Sequence, residues 1–174
     1  AGCVRAGDTV ARLGGDEFGV LLEELAPVED PNDVAQRMLA SLEVPFALEN
    51  TSSYMAYNSS EMNEWQFISE VAERADIGLM FDVNNVYVSA YNHGFDAREF
   101  VASAPHARIV QIHLAGHTNL GTHIIDTHDD HVINPVWELY RQAHHLTGGI
   151  STLLEWDAKT DQLRETSDAW AESV

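Results

Sequence analysis

Two short apolar runs at residues 9–13 and 18–22 flank Gly14-Gly15-Asp16-Glu17, and this pattern predicts a β-hairpin, since glycines and small acidic residues suit a tight turn. Further on, Asp30 is placed to cap a helix with Pro31 at its first position. Val34, Met38, Leu39 and Leu42 then fall at helical spacing as far as Glu43, and Pro45 ends the run.

From there the pattern changes to apolar strands alternating with amphipathic helices, which predicts βαβ units around a parallel sheet. The strands expected are 44–49, 77–83, 108–114 and 150–156. The helices expected are 61–75, 96–103 and 135–146, the last capped by Asn134 and closed by Gly148-Gly149, with a final acidic helix at 161–172. Trp65, Ile68 and Val71, like Val136, Leu139 and Tyr140, make helix stripes that should pack on the sheet. The fold class expected is α/β, a partial (β/α) TIM-type barrel preceded by a hairpin and helix, with the division falling between residues 1–48 and 49–174.

Each predicted strand carries a metal-capable side chain at its carboxyl end: Glu49, Asp82, His113 and Glu155. The carboxyl ends of parallel barrel strands open on one face, so polar residues there converge while the apolar bodies fill the core. The loop after the third strand adds His117, His123, Asp126, His128 and His131. Read as an extended segment, Asp126-Thr127-His128 puts a carboxylate and an imidazole on one side.

Composition sharpens this picture. The 174 residues include 28 acidic against 9 basic, a formal net charge of −19, which disfavours nucleic acid and anionic membranes as partners. Nine histidines in so acidic a chain supply the imidazole and carboxylate mixture that suits iron, manganese or zinc, and a site with several carboxylates suits more than one ion. No apolar run is long enough to span a bilayer and no leader precedes Gly7, so the expectation is a cytoplasmic protein. The lone Cys3 fits a reducing compartment, and the opening at Ala1 without methionine reads as a truncated start.

Six motifs then occur in order: Glu49-Asn50-Thr51-Ser52-Ser53-Tyr54, Asp82-Val83-Asn84-Asn85-Val86-Tyr87-Val88, Asn92-His93-Gly94, His113-Leu114-Ala115-Gly116-His117, Ile125-Asp126-Thr127-His128 and Glu155-Trp156-Asp157. In these, residues 49–158 resemble the multinuclear non-haem iron-dependent oxidases related to the methanobactin-biosynthesis enzyme. The resemblance implies a xylose-isomerase-like TIM barrel holding two or more irons. It also implies use of dioxygen to modify a peptide substrate, presented by a partner protein. The iron ligands it implies are Glu49, Asp82, Asn85, His113, Asp126, His128 and Glu155, with Asn85 standing where some members carry histidine. The family's first three strands, with further histidine ligands, have no counterpart here, and no catalytic side chain is assigned beyond the ligands.

Residues 4–48, around Arg5, Asp8 and the Gly14-to-Phe18 run, resemble part of a diguanylate cyclase domain. That resemblance implies that Asp16 and Glu17 act with magnesium on GTP, and that Arg5 and Asp8 bind a cyclic dinucleotide. The glycines would admit a nucleotide and the carboxylates would hold its metal. The leading expectation is an incomplete iron-binding oxidase-like protein. The alternatives are a cyclase or cyclic-di-GMP-binding fragment, and an inactive chimera joined near 43–50 that self-associates as a homo-oligomer.

Overall fold

A computed structural model describes residues 7–14, 17–21 and 46–157, with single positions between 33 and 40. The hairpin is present: β1 (Thr9–Gly14) pairs antiparallel with β2 (Glu17–Leu21). The helix expected from Asp30 to Glu43 lies largely outside the described residues, although Asp33, Gln36, Arg37 and Ala40 are helical. The helix expected at 161–172, like Cys3, lies outside them altogether.

The remainder is a four-stranded parallel sheet with helical crossovers, the arrangement of a partial TIM-type barrel. Its strands are β3 (Ala47–Glu49), β4 (Gly78–Asp82), β5 (Ile109–Leu114) and β8 (Thr152–Leu154), in the order β3-β4-β5-β8. A small antiparallel pair, β6 (Thr118–Asn119) with β7 (Ile124–Ile125), projects after β5.

Among the fully described segments, four helices cover the sheet: α1 (Glu64–Ala75), α2 (Val83–His93), α3 (Ala97–Ser103) and α4 (Asn134–Leu146). The start of α1 is set by a capping box. Asn63 Oδ1 accepts from the Gln66 backbone N–H at 3.0 Å, and the Gln66 side chain accepts from the Asn63 N–H at 3.1 Å. Such reciprocal bonds satisfy two donors that the first turn leaves open.

Leu79 and Phe81 of β4, with Ile112 and Leu114 of β5, are fully buried and pack against Val86, Phe100, Val136 and Tyr140 from the helices. Burying each such side chain is worth about 1.5–3 kcal/mol. Ile68, Val71, Val136, Leu139 and Tyr140 are buried as their helical stripes predict, and Trp65 packs half-buried against the same core. The alternate residues Met80, Asp82, Gln111 and His113 occupy the other face of the sheet, where polar side chains gather.

Three expectations need correction. The strand expected to run to Val83 ends at Asp82, which caps a helix, α2, over a stretch to which the sequence pattern assigns no element; β-branched Val83, Val86 and Val88 mask the helical period. The cap of α4 is Ile133, with no side-chain bond, because Asn134 is already the first helical residue ahead of Pro135. Asp126-Thr127-His128 is not extended: β7 ends at Ile125 and His128 adopts φ 49°.

Candidate metal centre

β3, β4 and β5 finish side by side, and the chain leaving β8 follows. Their carboxyl ends present Glu49, Asp82, His113 and Glu155, whose potential ligand atoms all lie within 4.8 Å of one another. The register accounts for this, since Asp82 pairs directly with His113 across β4 and β5. Glu155 is held by its backbone N–H, which donates to the Leu114 carbonyl at 2.9 Å.

Asp82 serves the fold and the site with separate atoms. Its Oδ1 caps α2 by accepting from the Asn85 N–H at 2.8 Å, while Oδ2, buried with the rest of the side chain, has no partner among the described residues. An unpartnered buried carboxylate oxygen is costly unless a cation or proton meets it.

Both ring nitrogens of His113 face oxygen acceptors. Nδ1 lies 2.8 Å from Glu155 Oε1 and 3.1 Å from Glu49 Oε1, and Nε2 lies 3.1 Å from Gln111 Oε1. Glu155 turns its second oxygen to His128, with Oε2 3.0 Å from Nδ1. His128 Nε2 in turn comes within 2.9 Å of Asp126 Oδ1, without the alignment of a hydrogen bond. The backbone bend at His128 brings this imidazole back over the site, and the Asp157 N–H donates to the His128 carbonyl at 2.8 Å. Glu155 therefore links the four-residue cluster to the Asp126 and His128 pair.

The electrostatics describe a site that needs positive charge. Burial pulls the His113 imidazole down, but hydrogen bonds to Glu155 and Glu49 and their negative charges outweigh it and raise it to about 10. Burial likewise opposes protonation of His128, and its contacts with Asp126 and Glu155 overcome this and raise it to about 11. Burial also favours the neutral form of Glu155, yet hydrogen bonds from His113 and His128 hold it down at about 2. For Asp82, burial and the Asp126 charge push the carboxyl up to about 7. The negative charge of Glu49, Glu155 and Asp126 favours protons on the two imidazoles.

Of the seven expected ligands, Glu49, Asp82, His113 and Glu155 form the cluster, and Asp126 and His128 adjoin it through Glu155. Asn85 is buried beside Asp82: its Nδ2 donates to the Asn50 carbonyl at 2.9 Å and its Oδ1 has no partner among the described residues. His117 is buried and stacked on Tyr87, with ring centroids 5.2 Å apart, and burial lowers its pKa. His123 is exposed and contacts Thr122, and His131 packs edge-on against Trp156.

Asp8 precedes β1 and Glu17 begins β2, while Arg5 and Asp16 lie outside the described residues. Sequence reasoning missed Asn50, Asn84 and Asn92. Asn92 grips Ile124 through both its carboxamide groups, donating to the carbonyl at 3.0 Å and accepting from the N–H at 2.9 Å. Such asparagines carry no charge or period; their place within the quoted motifs was the only signal.

Residues 25–172 match a profile described as RiPP precursor modification enzyme MbnB/TglH/ChrH. A UPF0276 protein of Anaeromyxobacter sp. (strain Fw109-5) is 54% identical over 127 residues, which cover 71% of this chain and 45% of that protein. A UPF0276 protein of Caulobacter vibrioides is 44% identical over 131 residues, 75% of this chain and 46% of its own. One from Bordetella pertussis is 40% identical over 157 residues, 83% of this chain and 54% of its own. The chain thus spans about half the length of the curated relatives it matches. The profile begins inside the segment that resembles a cyclase, and these matches lend that resemblance no support. Among the described residues no helix is long and apolar enough to cross a membrane.

Proposed function

Because the chain belongs to the MbnB/TglH/ChrH family of RiPP precursor modification enzymes, we propose that it is the metal-binding part of an iron-dependent oxidase acting on a peptide. One observation carries the reading: the fully buried Asp82 leaves an oxygen without a partner among the described residues, within a cluster of two glutamates and an imidazole. That donor set is hard to intermediate, with no thiolate, and suits ferrous or ferric iron.

Glu49, Asp82, His113 and Glu155 would hold one ion, and Asp126, His128 and the second oxygen of Glu155 another, with the Asn85 carbonyl oxygen available to the first. Iron bound there would supply the activation of dioxygen. The protein's own part is to release protons from His113 and His128 on loading, and to keep the carboxylates oriented through α2 and the asparagine clamps. A thiol or amide of a peptide, presented with a partner protein, is the substrate this reading calls for. A division of the chain belongs to the same proposal, between the antiparallel hairpin that ends at Leu21 and the parallel strands that begin at Ala47; the boundary expected at residue 48 falls inside β3.

The test is anaerobic purification followed by ferrous loading and equilibrium dialysis. At least one tightly bound ion per chain is expected; less than one overturns the reading.

A further inference from the structure

Asn84 is fully buried at the second position of α2 and makes three bonds from one carboxamide. Its Nδ2 donates to Asp126 Oδ1 at 2.6 Å and to the Gly116 carbonyl at 3.4 Å, while its Oδ1 lies 2.7 Å from His117 Nδ1. The pattern fixes every role. Two oxygens require the NH2 end, so the carbonyl end must face His117, whose Nδ1 has to be the donor. His117 is itself held by its stack on Tyr87 and by burial.

We propose that Asn84 is a positioning residue, which with His117 behind it orients the Asp126 carboxylate toward the second cation position. The inference rests on the metal-binding reading above. Asp126 sits on a bent loop after β7, with no strand of the main sheet to aim its side chain. A tether from the rigid start of α2 supplies what the loop lacks. A neutral amide is the suitable tether, because it donates to the carboxylate without bringing positive charge. A lysine or arginine there would neutralise Asp126 and compete with the ion. Hydrogen bonds of this kind typically change metal affinity by about 10–100-fold.

Asn84→Asp tests this directly, since it keeps the shape but replaces the donor with an acceptor facing Asp126. His117→Phe is the second variant; it keeps the aromatic stack on Tyr87 and removes the bond that orients the carboxamide. Wild type and both variants are titrated anaerobically with ferrous ion, following stoichiometry by dialysis and the ligand field by Co2+ substitution spectra. In Asn84→Asp the weaker of two binding steps is expected to fall by about tenfold or more, with the tighter step little changed. His117→Phe is expected to show a smaller loss in the same step. Two unchanged steps in a folded Asn84→Asp variant overturn the inference and leave the metal reading standing. Should Asn84→Asp not fold, an unchanged second step in His117→Phe overturns it. A wild-type protein that shows a single binding step overturns the inference and leaves the metal reading standing; one that binds no ion overturns the metal reading itself.

Discussion

Asn50 closes a two-bond ring on the backbone of Asp82: its Oδ1 accepts from the Asp82 N–H and its Nδ2 donates to the Asp82 carbonyl, each at 2.9 Å. The carboxamide thereby imitates a neighbouring strand just beyond β3, where the chain turns away. It holds Asp82 where the strand ends and α2 begins.

Asn50→Ala should therefore cost more than a typical surface change. Asn50 is buried, and its loss leaves a buried N–H and a buried carbonyl unpaired, about 1–3 kcal/mol for each. Urea denaturation of the metal-free protein would measure it. A loss under about 0.5 kcal/mol would show that water replaces both bonds.

Glu155→Gln should uncouple the two imidazoles. With the carboxylate gone, the pKa values of His113 and His128 should both drop from about 10 and about 11 toward the ordinary histidine range. Titration of their ring protons by NMR would follow this directly. Metal affinity should fall with them, by about tenfold or more.

Stability of the metal-free protein should depend on pH in a definite order. Glu155, held at about 2, contributes stability that is complete above its ordinary value near 4.5 and lost as pH falls through about 2. Asp82, raised to about 7, acts oppositely: its contribution is complete below its ordinary 3.8 and is lost as pH climbs to about 7. The two histidines contribute fully below about 6.5 and lose their contribution as pH rises to about 10 and about 11. As far as this cluster decides it, stability peaks near pH 4 and then declines through neutrality. Denaturation midpoints from pH 3 to 9 in chelator check the slope. Adding ferrous or zinc ion should reverse the decline at high pH, because binding competes with protons for the same atoms.

Gly116→Ala should damage the site from behind. A Cβ at Gly116 would meet the Asp130 carbonyl oxygen at 1.8 Å, so backbone has to move, and Gly116 also supplies the carbonyl that Asn84 grips. A loss of about 3 kcal/mol or failure to accumulate folded protein is expected, read by thermal melting. An unchanged melting temperature would contradict the close approach.

Much of this was legible in the pattern of the chain. The four strands, three of the covering helices and the donors at the strand ends follow from apolar runs that stop at a carboxylate or imidazole, because a buried strand tolerates charge only where it leaves the core. What escaped was α2. The expected strand stops at Val83 and no element is expected directly beyond it, since valine favours extended chain and asparagine is a weak helix former; burial of Val83, Val86 and Val88 outweighs both tendencies. Asp82 as a cap and Gly94 as a left-handed stop, φ 74°, were the available signals. The asparagine clamps were illegible for a different reason: a neutral side chain that bonds distant backbone leaves no local trace in sequence.

The donors lie far apart along the chain, with Glu49 and His113 separated by 64 positions and Glu155 reached only after β8. A growing polypeptide on the ribosome therefore exposes scattered carboxylates and imidazoles that have not yet met. Under the proposed function, capture of an ion would wait until the crossovers have closed, loading would follow assembly of the sheet, and a chain interrupted before β8 would lack Glu155.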